Sequence, residues 1–273
     1  MTDNTIVNGL WVGNRLSPLE LLTLHSFVDY GHVFHLWIYE ELENQLPQNV
    51  ILKDANEIVP KTDIFRLKYG DVEEGFGVGS LALFADWFRY NLLYQQGGWW
   101  VDMDVTCLSP LDISTEYYFR NHFVLPMIGN VMKCPPKAPF LLETIKQLSP
   151  ESIENTKDWL YPNKVLNEQI KIFNLSNFIR KGNSNIDNWI EIEPLLYQQN
   201  ALNPSWKYLH WMNEEWRTQQ IDKIAFYQST TLSYLMQKHG VPFQTKSKRK
   251  SYYYWHFKKS KLGQGIKSII KPN

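Results

Sequence analysis

The sequence predicts an α/β fold, in which an open mixed sheet is flanked by helices and the second half of the chain is mostly helical. Three patterns predict it: strand and helix signals alternate near the start, a long apolar helix ends at Gly97-Gly98 before another apolar run, and helical spacing dominates beyond Pro135. The chain has 273 residues, enough for one sizeable core, so we expect a single globular domain.

The elements are predicted from periodicity and from their start and stop signals. Leu21, Leu24 and Val28 repeat at helical spacing after Ser17-Pro18, for example, and Ser80 is a candidate cap for the helix that Gly97 ends. We predict strands over 6–12, 32–39, 49–53 and 99–105, and helices over 18–30, 81–96, 140–147, 161–173 and 221–239.

A pair of carboxylates follows the glycine pair. Asp102 and Asp104 stand two apart in the predicted strand 99–105, so we expect both side chains on one face. Two carboxylates so placed suit a hard divalent cation and leave coordination positions for phosphate oxygens and water. Such an ion neutralises charge that develops on a diphosphate leaving group. Gly97 and Gly98 allow the backbone to approach a ligand closely.

The helix before this motif carries a second polar pair. Asp86 and Arg89 lie on one stripe of the predicted helix 81–96, at i and i+3. Asp86 can accept hydrogen bonds from sugar hydroxyls, and Arg89 can donate to hydroxyls or phosphate. The alternative is an ordinary ion pair on a helix surface. The other faces of this helix are apolar, which favours a functional pair.

These segments together resemble the sugar-binding region of DXD-containing glycosyltransferases, a family that includes yeast initiating mannosyltransferases, lipid α-galactosyltransferases and bacterial capsule or lipopolysaccharide enzymes. The resemblance is carried by Ala85-Asp86-Trp87-Phe88-Arg89, Leu92-Leu93-Tyr94 and Gly97-Gly98-Trp99-Trp100-Val101-Asp102-Met103-Asp104-Val105. It implies the GT-A fold, a nucleotide-sugar donor, most commonly UDP-linked, and a divalent metal, Mn²⁺ or Mg²⁺. It also implies transfer with retention of anomeric configuration.

The resemblance also implies roles for single residues. Asp102 and Asp104 would hold the metal, Asp86 and Arg89 would position the donor sugar, and Gly98 and Asp102 would contact the nucleotide sugar. Trp11, in a segment similar to the family's first strand, would stack on the base, with core packing as the alternative. Asn130 is similar to an active-site position. A late residue often completes the metal site; His256 is the first candidate, His210 the second, and Ser260 a further contact. The family's Gly-Pro signature is degraded here to Tyr161-Pro162-Asn163.

Charge is distributed unevenly along the chain. No acidic residue follows Asp222, whereas nine of the 28 basic residues lie beyond position 245, among several aromatic residues. We therefore divide the chain into a catalytic domain, 1–245, and a basic aromatic tail, 246–273, that completes the site. Such a tail suits an anionic membrane surface or a nucleic-acid backbone, and the alternative is a solvated terminus. The acidic body argues against a nucleic-acid partner.

Two cysteines, Cys107 and Cys134, are too few for a disulfide framework, and no signal peptide or run of ~20 apolar residues is visible. We expect a cytoplasmic protein, peripheral at the inner face of the membrane where the tail contacts lipid. The predicted function is transfer of a hexosyl unit from a UDP-sugar to an acceptor hydroxyl in bacterial surface polysaccharide or lipopolysaccharide synthesis. A non-enzymatic carbohydrate- or polyanion-binding module is the main alternative. A nucleotidyltransferase shares the carboxylates, and a glycoside hydrolase needs them on separate elements.

Overall fold

The computed structural model describes residues 5–70, 76–247 and 256–257. Its strands are β1 (Ile6–Trp11), β2 (Val33–Ile38), β3 (Val50–Asp54), β4 (Gly98–Val101), β5 (Val105–Cys107), β6 (Tyr118–Asn121), β7 (Met127–Cys134), β8 (Ile179–Arg180), β9 (Tyr208–His210), β10 (Ala225–Tyr227) and β11 (Gln244–Lys246). Its α-helices are α1 (Pro18–Asp29), α2 (Ala82–Gln96), α3 (Pro139–Gln147), α4 (Pro150–Glu154), α5 (Tyr161–Ile172), α6 (Trp189–Ile192), α7 (Asn213–Thr218) and α8 (Thr231–Lys238).

Seven strands form an open mixed sheet in the order β3-β2-β1-β4-β7-β6-β8. The first four of these pair in parallel, β7 is antiparallel to both β4 and β6, and β8 is parallel to β6. The chain runs outward from β1 to β3 and then returns to the other side of β1 through α2 and β4. The strand order therefore reverses at β1, the point where open α/β sheets bind ligands beyond the carboxyl ends of their strands.

Helices cover both faces of the sheet, and alternate strand residues enter the two cores. Val7 and Trp99 pack in a core with α1 and α8, whereas Leu10 and Trp100 pack in a core with α2, α3 and α5. Aromatic residues are common in both cores; the fully buried tryptophans are Trp37, Trp99, Trp100, Trp211 and Trp216. These five tryptophan rings pack in the cores and are not available to stack on a ligand.

The predicted fold class is confirmed, and most predicted elements of the first half occur within two residues of their expected bounds. Ser80 precedes the capping position of α2, which is Leu81, although its Oγ accepts a bond of 3.2 Å from the Ala82 N–H. In the second half, α3 and α5 match predicted helices, whereas α4, α6 and α7 and the short strands β8 to β11 were not predicted from periodicity. Strands β6 and β7 were also not predicted.

Two predicted elements are wrong. The predicted strand 99–105 ends at Val101, because the Val105 N–H bonds back to the Asp102 carbonyl at 3.2 Å and closes a turn. The predicted helix over 221–239 is a strand, β10, followed by the shorter helix α8. The Asp222 carboxylate accepts the Ile224 N–H at 2.8 Å and ends helical continuation, and Thr230 caps α8.

The predicted domain boundary falls within a described strand. Lys246 is the last residue of β11 and forms an ion pair of 3.0 Å with Asp222, so its backbone belongs to the folded body. Most of the predicted tail, residues 248–255 and 258–273, lies outside the described residues. Within the described part of the chain, no helix is long and apolar enough to cross a membrane.

Gly97 ends α2 and directs the chain into β4. Its φ is +66°, and a Cβ there would lie 2.4 Å from the backbone nitrogen of Pro136. We expect Gly97→Ala to lower the free energy of unfolding by more than the about 1–2 kcal/mol that a left-handed residue costs. Gly31→Ala is the matched control, because Gly31 has φ +86° with no atom near its Cβ position. Urea unfolding of both variants tests this; equal losses would contradict the backbone clash.

Candidate active site

A cavity of about 990 Å³ opens at the carboxyl ends of β1 and β4. Trp11 ends β1 and Asp102 directly follows β4, so both reach this edge of the sheet. Asp86 and Arg89 on α2 form part of the wall, and Asn130 on β7 lies on the far side of Asp102. The structure thus brings five of the residues predicted from sequence to one cavity.

Arg89 joins the two predicted carboxylate groups. Its Nη1 lies 2.8 Å from Asp86 Oδ1, and its Nη2 lies 3.0 Å from Asp102 Oδ1. The arginine and Asp86 are almost fully buried, whereas the Asp102 side chain is 27% exposed. The alternative of a surface ion pair on α2 is therefore wrong. A buried guanidinium shared by two carboxylates fixes Asp102 at the cavity wall.

Neighbouring residues hold this arrangement in place. The Trp100 indole donates to Asp102 Oδ1 at 2.6 Å, and the Arg89 guanidinium lies 5.3 Å from the Trp100 ring. Asn163 on α5 donates to Asp86 Oδ2 at 3.2 Å and accepts the Gly129 N–H at 3.0 Å. Gly129 must lack a side chain, because a Cβ there would lie 2.2 Å from Arg89 Nη1.

Asp104 is held from the opposite side of the turn. Its Oδ2 accepts the Asn213 N–H at 2.7 Å and lies 3.2 Å from His210 Nε2. The pairing of β5 with β9 sets this contact, because Val105 lies opposite His210. The Trp211 N–H also bonds to the Asp104 carbonyl at 2.9 Å. Of the two histidines considered from sequence, His210 is the one that contacts a predicted metal ligand among the described contacts.

A buried arginine on β6 lies behind His210. Asp187 Oδ1 is 2.7 Å from His210 Nδ1 and 2.6 Å from Arg120 Nη2. Arg120 Nη1 donates to the other Asp187 oxygen at 2.7 Å and to Asn130 Oδ1 at 3.1 Å. This chain of contacts connects β6, β7, β9 and the segment before α6.

The buried charges shift the pKa values of these groups in different directions. Burial raises the pKa of Asp86 to about 6, although Arg89 opposes the shift. Burial also raises the pKa of Asp102, and the Asp104 charge adds to this while Arg89 opposes it. Burial alone would raise the pKa of Asp104, but the nearby His210 holds it below its ordinary value.

The balance between burial and neighbouring charges also determines the protonation of His210. Burial favours the neutral imidazole, yet Asp104 and Asp187 together raise the pKa of His210 to about 10. The pKa of Asp187 is lowered despite burial, because Arg120 and His210 stabilise its anion. At neutral pH, anionic and cationic side chains therefore alternate in this part of the site, in the order Asp104, His210, Asp187 and Arg120.

The donor set fits a divalent cation that shares its coordination with a substrate. Asp102 Oδ2 and Asp104 Oδ1 accept no hydrogen bond from the described residues, so each carboxylate keeps an oxygen available. Within this cluster, four aspartates (Asp86, Asp102, Asp104 and Asp187) face three cationic side chains. Among the described residues, no group of three or more His, Cys, Asp or Glu side chains is arranged to hold a metal by itself. Phosphate oxygens and water would supply the remaining ligands.

The other residues predicted from sequence lie as follows. Trp11 is partly buried at the cavity wall, and its indole N–H is buried without a partner among the described residues. Gly98, at the opposite end of β4 from Asp102, is not part of the cavity wall, and its φ of +88° serves the turn after α2. His256 is exposed and Ser260 lies outside the described residues, so their roles stay predictions.

Several residues of the site had not been assigned a role from sequence, among them Arg120, Asp187 and Trp100. Arg120 and Asp187 stand in no short motif and are 67 positions apart in the chain. Trp100 lies inside the motif that begins at Gly97, two positions before its partner Asp102. Asn163 carried a signal, because it ends the degraded Tyr161-Pro162-Asn163 signature. That segment begins α5 and places its asparagine against Asp86.

Three solved structures are similar in part. PaToxG glycosyltransferase is 10% identical, with 65% of this chain and 74% of that chain covered at a TM-score of 0.44. A transferase carrying two cysteine-to-serine substitutions is 11% identical, with 75% of this chain and 93% of that chain covered at a TM-score of 0.42. The apo form of the glycosyltransferase GlyE from Streptococcus pneumoniae TIGR4 is 13% identical, with 89% of this chain and 65% of that chain covered at a TM-score of 0.41. No curated protein matches the chain.

A family model matches less than half of the chain. The model described as a glycosyltransferase sugar-binding region containing a DXD motif matches residues 35–120. This stretch begins in β2 and ends at Arg120, and it encloses Asp86, Arg89, Asp102 and Asp104. The matched region is the part of the chain that forms the carboxylate wall of the cavity, and this match supports a glycosyltransferase.

Proposed function

We propose that the protein is a retaining glycosyltransferase that moves a hexosyl unit from a UDP-sugar, with a divalent metal, to an acceptor hydroxyl. The observation that carries the proposal is Arg89, which joins Asp86 to Asp102 at the wall of the cavity. A bacterial surface polysaccharide or a lipopolysaccharide is the proposed acceptor class, on the resemblance described above. Cytoplasmic location, with the tail at the membrane surface, belongs to the same proposal.

The layout of the sheet supports an order for the substrates. The strands that contribute to the cavity lie in the order β1, β4, β7, β6, so Trp11, Asp102, Asn130 and His122 follow one another along the edge. Trp11 offers an aromatic face and an unpaired indole N–H for the base. If the base lies at Trp11 and the diphosphate at Asp102, the acceptor approaches from the β6 side.

Each side chain then has a definite task. Asp102 and Asp104 would hold Mn²⁺ or Mg²⁺ through their free oxygens, and a bound ion would stabilise the departing diphosphate by neutralising its charge. Asp86 is fixed by Arg89 and Asn163, so its remaining acceptor capacity can orient a sugar hydroxyl. Asn130 has an amide nitrogen that is buried without a partner in the described part of the chain, and it can donate to the donor sugar.

Retention by front-face attack is the mechanism that the charge pattern favours. The buried aspartates of the cavity all have a cationic partner: Asp86 and Asp102 pair with Arg89, Asp104 with His210, and Asp187 with Arg120. Ion pairing weakens a carboxylate as a nucleophile, because its charge is already stabilised. The acceptor oxygen would therefore bond to the anomeric carbon on the face from which the diphosphate departs, as the bond between that carbon and the diphosphate breaks. A diphosphate oxygen would take the acceptor proton, and positioning and electrostatics would supply most of the rate.

The experiment that tests the proposal is a panel of nucleotide sugars incubated with the full-length protein and Mn²⁺. Release of free sugar and nucleoside diphosphate is the expected result. Release of pyrophosphate would indicate a nucleotidyltransferase instead. Tight polyanion binding without turnover of any donor would indicate the binding module, and would overturn the proposal.

Asp104→Asn tests the metal-binding carboxylate. We expect it to abolish sugar release and to leave the fold intact, because asparagine can still accept the Asn213 N–H. Asp112→Asn is the matched control, since Asp112 is 74% exposed and pairs only with Lys207 at 2.6 Å. Initial rates at saturating Mn²⁺ measure the difference. Substantial metal-dependent activity in Asp104→Asn would contradict the assignment.

Gly129→Ala tests the position of Arg89 without altering any charge. The added methyl group would displace the guanidinium from Asp86 and Asp102, so we expect donor turnover to fall roughly 10²-fold, the usual effect of an ångström-scale misplacement. Gly182→Ala is the control, because no atom lies near its Cβ position. Steady-state sugar release measures both. Unchanged turnover in Gly129→Ala would show that Arg89 need not be held there.

A histidine variant tests the third protein ligand of the metal. His256 is the candidate from the family resemblance. His210 contacts Asp104 at 3.2 Å, but it is protonated between Asp104 and Asp187, so it has no lone pair for a metal. We expect His256→Ala to weaken Mn²⁺ binding, as measured by thermal stabilisation at increasing Mn²⁺ concentration. Unchanged stabilisation by Mn²⁺ in His256→Ala would contradict its role as a ligand.

A further inference from the structure

Arg120 is a fully buried cation whose donors are all committed. Its side chain is 0% exposed, and it lies at the end of β6. The Nε donates to Ser184 Oγ at 2.7 Å, the two Nη groups contact both oxygens of Asp187, and one of them also bonds to the Asn185 carbonyl. The fifth N–H goes to Asn130. Such a fork of five donors holds its partners in one geometry.

One arm of this fork fixes the Asn130 amide. Arginine has donors only, so the oxygen of the amide must face Arg120 and the NH₂ group must face away. That nitrogen is buried without a partner among the described residues, on a residue of the cavity wall. The orientation of this Asn130 donor group is therefore set by Arg120.

An irregularity in the sheet makes this contact possible. Phe119 lies opposite Met132, but the next residue, Arg120, lies opposite Ile128. The register shift leaves Gly129, Asn130 and Val131 without partners in β6, and the guanidinium reaches Asn130 across this gap. Irregularities of this kind occur next to active sites, where they redirect a side chain.

The other arm leads to Asp104. Arg120 holds both oxygens of Asp187, and Asp187 Oδ1 contacts His210 Nδ1, which turns Nε2 towards Asp104. The backbone of Asp187 has a φ of +64°, a left-handed conformation that aspartate adopts more readily than most non-glycine residues.

We propose that Arg120 is a positioning residue that sets the amide of Asn130 and the imidazole of His210 at the same time, from the two sides of the cavity. The inference rests on the proposed function for the tasks of Asn130 and Asp104. Arg120 touches neither Asp102 nor Asp104 in the described contacts, so it acts through the other two residues.

The test uses Arg120→Lys, which keeps the charge but cannot bind five acceptors. We expect kcat for donor hydrolysis to fall by about 10²-fold, the usual effect of losing one oriented donor, with little change in the donor KM. Arg180→Lys is the matched control, because Arg180 lies on the neighbouring strand β8 and, among the described residues, its guanidinium bonds to the Asn177 carbonyl alone. An unchanged kcat in folded Arg120→Lys would overturn the proposal.

A double-variant cycle separates positioning from general stability. If Arg120 acts through Asn130, Arg120→Lys must cost less in an Asn130→Ala background than in the wild type. Effects of Arg120→Lys and Asn130→Ala that multiply independently would show that Arg120 does not act through Asn130, and would overturn the proposal that it positions both residues. Asp187→Asn is the second variant should Arg120→Lys fail to fold, and it must lower kcat through His210 while leaving the Asn130 effect intact.

A crystal structure of Arg120→Lys gives a readout that does not depend on activity. We expect the Asn130 amide to rotate and the His210 ring to leave Asp104. Retention of both positions would overturn the proposal even in an inactive enzyme. Absence of any donor hydrolysis by the wild type, by contrast, would overturn the proposed function and leave this structural test to decide on Arg120.

Discussion

The site depends on cationic side chains that compensate the negative charge of carboxylates at one edge of the sheet. Charges in a protein interior are costly unless they are paired, and here Arg89, Arg120 and His210 are the partners of four aspartates. Removing one partner of such a pair costs roughly 3–5 kcal/mol, because the other charge stays buried. The structure therefore cannot relax one member of the cluster without disturbing the rest.

The compensation is incomplete. Four aspartates of the described cluster face three cationic side chains, and the Asp102 side chain is the most exposed of the seven. In the proposed function, a divalent cation that binds with the diphosphate would add the missing positive charge. Strand β7 lies between the two arginines of the cluster. Gly129 leaves space for the Arg89 guanidinium, and the adjacent Asn130 accepts a hydrogen bond from Arg120.

Local sequence patterns predicted the parts of the site that are local in the chain. Asp86 and Arg89 lie on one turn of α2, as their i and i+3 spacing predicts, and Asp102 and Asp104 follow α2 after Gly97. The family resemblance, rather than spacing, related the two pairs. The expectation of a strand through Asp104 was wrong, because the Val105 N–H bonds back to the Asp102 carbonyl and closes a turn after β4. The carboxylates still meet, but a turn rather than strand alternation brings them together.

The rest of the site depends on contacts that no local pattern encodes. His210 reaches Asp104 only through the pairing of β5 with β9, across a hundred residues of sequence, and both strands have three residues. Arg120 reaches Asn130 only because the register of β6 and β7 slips. The wrong helix over 221–239 has a similar cause, since the pairing of β10 with β11 overrides an apolar, helix-like pattern.

The central claim is that Asp102 and Asp104 bind a metal together with the nucleotide sugar. Calorimetric titration of UDP-hexose into the protein, with and without Mn²⁺, tests it most directly. Coupled binding predicts that Mn²⁺ tightens the sugar nucleotide, that the sugar nucleotide tightens Mn²⁺ by the same factor, and that Asp102→Asn removes both effects. Equal affinity for UDP-hexose in the presence and absence of Mn²⁺ would contradict the account.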